Sequence, residues 1–258
     1  MKNIPIIRYE HIRDIKDSHS VGVNAFEQQV MYLRNKGYNF LSLDEYLTLK
    51  KSNEQNPPKS VLLIFEGGWR DFYENAYPIL KHYWLKAGLF IATEWIDESS
   101  KSPKDSQLDI NAQEIPHDEA MLEITKNPRA MFCTWEELKK MNDVISFGTM
   151  THTYRLDNFV NKPFHEDLQL SIDLIIRHLG VITSHLLWPR GEYDQNLLRT
   201  AKKMGLQSFY TQEVGQNFCD GNLDTNKLLY ASNEFFTFKK QLIICANSLS
   251  YKLFNIFL

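Results

Sequence analysis

Cysteine is scarce in this chain. Cys133, Cys219 and Cys245 are odd in number and far apart, so they build neither a disulfide framework nor a CxxC metal pair. Buried free thiols are expected instead, and a reducing compartment suits them. A basic excess is missing too. Against 32 Asp and Glu stand 29 Lys and Arg, a formal net charge of -3, which argues against a nucleic-acid binder. The longest basic runs, Lys139-Lys140 and Lys202-Lys203, sit in helix-like stretches and read as solvated faces. Long apolar runs are also lacking. Ile4 to Ile7 is too short for a signal-peptide core, and Tyr251 to Leu258 falls far below the roughly 20 residues of a membrane span. The expectation is therefore no membrane span. As written the sequence reads as cytoplasmic; with a leader preceding it, as extracytoplasmic.

What is present is a balance of 43% hydrophobic and 24% charged residues in 258, enough to bury a sizeable core. Short apolar runs alternate with amphipathic segments. Ile4 to Ile7 reads as a strand. Phe26 to Lys36 has helical spacing and Gly37 as its stop, and Ser42 with Glu45 forms a capping box. Val61 to Phe65 is apolar at every residue, as a strand covered on both faces is. A helix over roughly Tyr73 to Trp84 is expected to kink or break at Pro78. Leu89 to Ala92, Val144 to Phe147 and Ser184 to Leu187 are further strands, as are Gln207 to Tyr210 and the segment near Leu228 to Tyr230. Helices open at Thr134 and run over Phe164 to Leu179 and Tyr193 to Met204. Leu242 to Cys245 is a strand or a closing helix. Residues 97–130 are polar and read as an insertion or long loop. No repeat and no linker divides the chain, so one domain over 1–258 is expected. Strand–helix alternation of this kind builds a parallel sheet, open or closed into a barrel.

Several segments, in order, carry a resemblance. Ile4-Pro5-Ile6-Ile7-Arg8-Tyr9-Glu10-His11 resembles a "PVLxYH" opening strand. Val61 to Trp69 stands where a TFDDGY motif would stand. Ser146 to Tyr154 resembles "eigsHT", and Leu187 to Tyr193 resembles "YPyGeyn". Together these resemble the polysaccharide deacetylase family (NodB homology, carbohydrate esterase 4), nearest its poly-N-acetylglucosamine deacetylase branch. The resemblance implies an irregular TIM-like (β/α) barrel with its site at the C-terminal ends of the strands. It also implies hydrolysis of an N-acetyl amide bond by a water held on a divalent metal, whose charge lowers the water's pKa.

Position by position, the site departs from that pattern. Glu66 takes the place of the base Asp, and Arg190 is a candidate cation to pair with it. Gly67 takes the place of the Asp ligand and has no ligating side chain. His152 keeps the first His ligand, and Asp157 stands at the second. The oxyanion donor falls on the Arg190 backbone N–H, which needs no particular side chain. The opening Tyr-His is Tyr9-Glu10, and the late general-acid His has no counterpart, since His185 is the last histidine. Trp69, Tyr154, Trp188 and Tyr193 are the candidate saccharide-stacking residues. His117, His165, Glu166 and Asp167 could supply an alternative metal set, although their surroundings read as loop and helix surface. No cofactor is expected; if one is held, it is a divalent metal such as zinc, bound weakly by His152 and Asp157. The expected partner is a carbohydrate, an N-acetylated amino-sugar polymer or fragment. The expected function is a deacetylase-like protein with lost or strongly reduced activity and a retained saccharide- or partner-binding role. The alternatives are an active C–N hydrolase with a remodelled metal site around His152, Asp157 and Glu66, and carbohydrate chemistry of another kind using Glu66 with Arg190.

Overall fold

The computed structural model describes residues 3–52, 57–103, 111, 113–154 and 163–246. In chain order the strands are β1 (Ile6–Tyr9), β2 (His11–Ile12), β3 (Ser20–Val21), β4 (Asn39–Phe40), β5 (Ser60–Gly67), β6 (Ala87–Ile91), β7 (Ile145–Thr149), β8 (His185–Leu187), β9 (Ser208–Val214) and β10 (Asn226–Tyr230). Seven of them run β1-β10-β9-β8-β7-β6-β5, and β5 pairs back onto β1, so the parallel sheet closes into a barrel. The register at closure sets Arg8 beside Ile64 and Tyr9 beside Phe65. β4 hangs outside the ring on β5, and β2 pairs with β3 apart from it. This is the irregular (β/α) barrel expected from the sequence.

The helices are α1 (Val23–Asn35), α2 (Leu43–Lys51), α3 (Tyr77–His82), α4 (Thr93–Lys101), α5 (His117–Glu123), α6 (Pro128–Met131), α7 (Trp135–Lys140), α8 (Phe164–Leu179), α9 (Gln195–Lys203) and α10 (Phe235–Ala246). Their boundaries follow local chemistry. The Ser42 hydroxyl accepts from the Glu45 N–H while the Glu45 carboxylate accepts from the Ser42 N–H, and Thr134 with Glu137 repeats the device for α7. Asp194 accepts from the N–H groups of Asn196 and Leu197 at the start of α9. The helix anticipated over 73–84 is divided: Phe72–Ala76 forms a wide π turn, and α3 begins with Pro78 in its first turn, where a missing N–H costs no intrahelical bond. The polar stretch 97–130 carries the end of α4 and the short helices α5 and α6. Residues 251–258, the apolar tail, lie outside the described residues, and the three cysteines are free and buried.

Strand alternation sorts the side chains. Ile6, Leu62, Ile64, Phe90, Leu187, Tyr210 and Leu228 form the barrel's inner cluster. Ile7, Tyr9, Leu63, Phe65, Leu89 and Ile91 belong to a separate cluster that packs outward against the helices. Continuing the inner face by two residues reaches Arg8 on β1, Glu66 on β5, Gln212 on β9 and Tyr230 on β10. The rim at the C-terminal ends of the strands is thus polar where the interior is apolar.

Candidate functional site

That rim opens into a cavity of about 430 Å³. Glu66 and Gly67 form its floor, Trp69, Trp95 and Tyr154 one wall, and Arg8 and Tyr230 another. Glu66 is buried, with only 3% of its side chain exposed, and ion-pairs with the Arg8 guanidinium. The expected Arg190 partner is a correction: β1, adjacent to β5 across the barrel closure, delivers Arg8 to the carboxylate first. Arg8 also stands 3.5 Å from Glu10 and lies over the Tyr230 ring. The second Glu66 oxygen, Oε2, has no hydrogen-bond partner among the described residues. A buried carboxylate oxygen left in that state marks a place where a ligand donor can bind.

Gly67 and Gly68 turn the chain at the end of β5 with φ of +86° and +78°, conformations that glycine adopts freely. The turn is pinned by the Cys133 N–H, which donates to the Gly68 carbonyl at 2.9 Å. It folds the Trp69 indole back over Gly67. A Cβ at position 67 would meet Trp69 Nε1 at 2.7 Å and Cδ1 at 2.9 Å. An indole therefore occupies the room that a ligating aspartate would need.

His152 follows β7. Its backbone N–H donates to Asp167 at 2.8 Å, its Nδ1 lies 3.0 Å from the Thr93 hydroxyl, and it falls outside the cavity lining. Asp157 lies outside the described residues. Asp167 is fully buried and accepts from the N–H groups of both His152 and Thr153, so it holds the post-β7 loop. That corrects its placement on a helix surface. His165 and Glu166 remain exposed on α8. The fit to a family-type metal fails at Gly67, which has no side chain and is covered by tryptophan, whereas His152, with Nδ1 on the Thr93 hydroxyl, has the outer-shell contact that orients a histidine ligating through Nε2.

Arg190 lines the cavity with φ of +53°, in the left-handed region. Burial raises the pKa of Tyr154, as does the charge of Glu10, against lowering contributions from Arg8 and from a hydrogen bond with the Arg190 backbone. Arg190 and Tyr154 both line the cavity. Trp69 and Tyr154 are brought together with Trp95, whose ring lies 6.0 Å from Trp69 and 5.2 Å from Tyr154. Trp188 and Tyr193 are not. Trp188 is fully buried and stacks on Tyr193 at 4.9 Å, with Phe164 and Phe209 as further neighbours, in a cluster under α8 and α9. The inner–outer alternation of β8 sends Leu187 inward and Leu186 outward, and the following Trp188 packs with the outward set.

Glu10, His117 (one of the alternative metal candidates, set apart from His165, Glu166 and Asp167) and His19, which the sequence did not single out, complete the mouth of the cavity. Glu10 Oε2 lies 2.6 Å from His19 Nδ1, and Glu10 Oε1 lies 3.7 Å from His117 Nδ1. The two imidazoles stack with centroids 4.0 Å apart. Glu10 is held below the usual carboxylate range, because the His19 hydrogen bond and the charges of Arg8, His117 and His11 outweigh the raising effect of burial. His19 is raised, chiefly by that same hydrogen bond, and His117 is lowered, chiefly by burial. An arginine in a strand of buried residues was a readable signal for Arg8. His19 carries none, and nothing local pairs it with His117, since the two are 98 positions apart and only the tertiary fold joins them.

The comparisons with known proteins agree with the barrel fold. The polysaccharide deacetylase family model matches residues 53–209, and the chain belongs to that family. It is similar to a poly-beta-1,6-N-acetyl-D-glucosamine N-deacetylase of Staphylococcus aureus strain MSSA476, 28% identical over 212 residues covering 78% of this chain and 63% of that protein. A protein of the same description from Escherichia coli O157:H7 is 22% identical over 226 residues, covering 76% of this chain and 31% of its own length. The chain thus spans about a third to under two thirds of those relatives. Among solved structures, a Streptococcus pyogenes deacetylase, PplD, in complex with acetate superposes with a TM-score of 0.74 at 22% identity, covering 96% of this chain and 99% of that one. At that identity the likeness shows the fold.

Proposed function

We propose that this chain binds an N-acetylated amino-sugar polymer or fragment in the barrel-rim cavity, and that it has lost, or retains only a trace of, metal-dependent deacetylation at the family's ligand positions. The observation that carries the reading is the indole of Trp69 seated over Gly67 while Arg8 engages Glu66. The first excludes an anionic ligand at position 67. The second engages one oxygen of the carboxylate at the base position with a guanidinium, which stabilises its ionised form and makes it a weaker base.

Binding has positive support. Aromatic faces flank a carboxylate oxygen that accepts no hydrogen bond among the described residues, and sugar hydroxyls and acetamide N–H groups are the donors that such an oxygen lacks. The descriptions of the curated relatives point to N-acetylglucosamine polymers as the class.

The test pairs two measurements on N-acetylglucosamine oligomers. Tryptophan fluorescence titration is expected to show saturable binding that Tyr154→Ala weakens about fivefold, the loss of one aromatic contact. Acetate assay with added zinc, cobalt or manganese is expected to stay at background. Turnover abolished by Glu66→Gln would overturn the inactive reading, and the absence of any binding would overturn the saccharide reading. An active amide hydrolase with a remodelled metal centre is the second reading, favoured by the Glu10, His19 and His117 set in the same cavity.

A further inference from the structure

We propose that Glu10, His19 and His117 form a site for one divalent transition-metal ion of the zinc class at the cavity mouth, separate from the positions where the family resemblance places its ligands. Three segments converge there: the turn after β1, the loop before β3, and the first residue of α5. Each residue offers a ligand atom within 4.8 Å of the other two. Tetrahedral ligands about 2.1 Å from zinc stand about 3.4 Å apart, so closure needs shifts of about an ångström. Two imidazoles and a carboxylate are a donor set that zinc accepts, and three protein ligands leave a coordination position open. All three residues line the cavity.

Residues behind the ligands hold them in register. Asp71 Oδ2 lies 2.6 Å from His11 Nδ1, and His11 Nε2 lies 3.0 Å from His117 Nδ1. With Asp71 accepting from His11 Nδ1–H, the bare His11 Nε2 accepts from His117 Nδ1–H, and the lone pair of His117 is left on Nε2. A carboxylate–imidazole chain that fixes the tautomer of a ligating histidine is a recurring support for bound metals. Asp17 clamps the two histidine segments, since its carboxylate accepts from the backbone N–H of His19 at 2.9 Å and of His117 at 3.1 Å. The nearby Arg8 would oppose a cation, but Glu66 neutralises it.

The inference stands apart from acetate release, so metal held here without turnover leaves both proposals intact. The experiment titrates the metal-free full chain with Co²⁺, following its visible absorption, and with Zn²⁺ by calorimetry. One ion per chain is expected. His19→Ala, which removes a partly exposed side chain, and His117→Ala should each weaken binding at least a hundredfold. Asp71→Asn should weaken it about 10–100-fold, as loss of an outer-shell partner does. His152→Ala should leave it unchanged. Thermal melting of each variant separates lost ligation from lost folding, and His19→Ala carries the decision if His117→Ala is unfolded. The proposal is overturned if the wild type binds no stoichiometric ion, or if folded His19→Ala binds as tightly as wild type. Loss of binding in His152→Ala with retention in His19→Ala overturns it equally, by assigning the ion to the other locus.

Discussion

A single ion pair decides the chemistry of the barrel floor. Glu66 and Arg8 are both largely buried, and neither is tolerable there alone. Arg8→Met is therefore expected to destabilise the fold by about 3–5 kcal/mol in urea unfolding, since it strands a buried carboxylate. The double replacement of Arg8 and Glu66 by Met should recover most of that loss, because a matched apolar pair leaves no charge behind. Gly67 is the other decisive residue. Gly67→Asp restores the family's side chain on paper, yet it must adopt φ of +86° and displace the Trp69 indole. It should lose about 1–2 kcal/mol from the left-handed conformation alone, seen as a lower Tm, and gain no acetate release. Glu66 and Gly67 could be singled out by their positions in a motif. That Trp69 fills the space above Gly67 could not, because a tight glycine turn and an antiparallel bridge between Trp69 and Phe132 determine where the indole lies.

At the scale of elements, the caps were legible and the loops were not. Thr134-Trp135-Glu136-Glu137 announces the start of α7, and the structure has the reciprocal capping bonds. The sequence does not disclose that Glu137 also binds Arg70, at 3.1 and 3.2 Å, and so ties α7 to the chain just beyond β5. Burial raises the Glu137 pKa, but the hydrogen bonds from Arg70 and Thr134 and the Arg70 charge outweigh it, so the carboxyl is held low. A carboxyl depressed in the folded state stabilises above its unfolded value and loses that contribution as pH falls through the folded one. Glu137→Gln should accordingly cost about 1.5–3 kcal/mol near neutral pH. The gap between variant and wild type should close as pH drops below about 4.5, read from chemical melts across pH. The stretch 97–130 was opaque for a related reason. Its short helices draw their order from the packing of α4 against α6 and of α5 against α6, and isolated helices of that length are marginal in water.

For the whole molecule, closure of the barrel fixes what can stand inside it. Gly148 on β7 faces the Phe90 ring, and a Cβ there would lie 2.3 Å from Phe90 Cε1. Gly148→Ala should overpack the interior and cost about 1–3 kcal/mol, with a Tm lower by several degrees in calorimetry. Adding Phe90→Leu should restore part of it. The sequence by itself determined the alternation of strands and helices, the caps and the family's motif order, because period, propensity and capping are local properties. The tertiary structure alone decided that Arg8 rather than Arg190 neutralises Glu66, that Trp188 and Tyr193 pack away from the cavity, and that Glu10, His19 and His117 meet. Those outcomes depend on which strands become neighbours when the sheet closes and on how loops distant in sequence fold over its rim, and no local pattern encodes either.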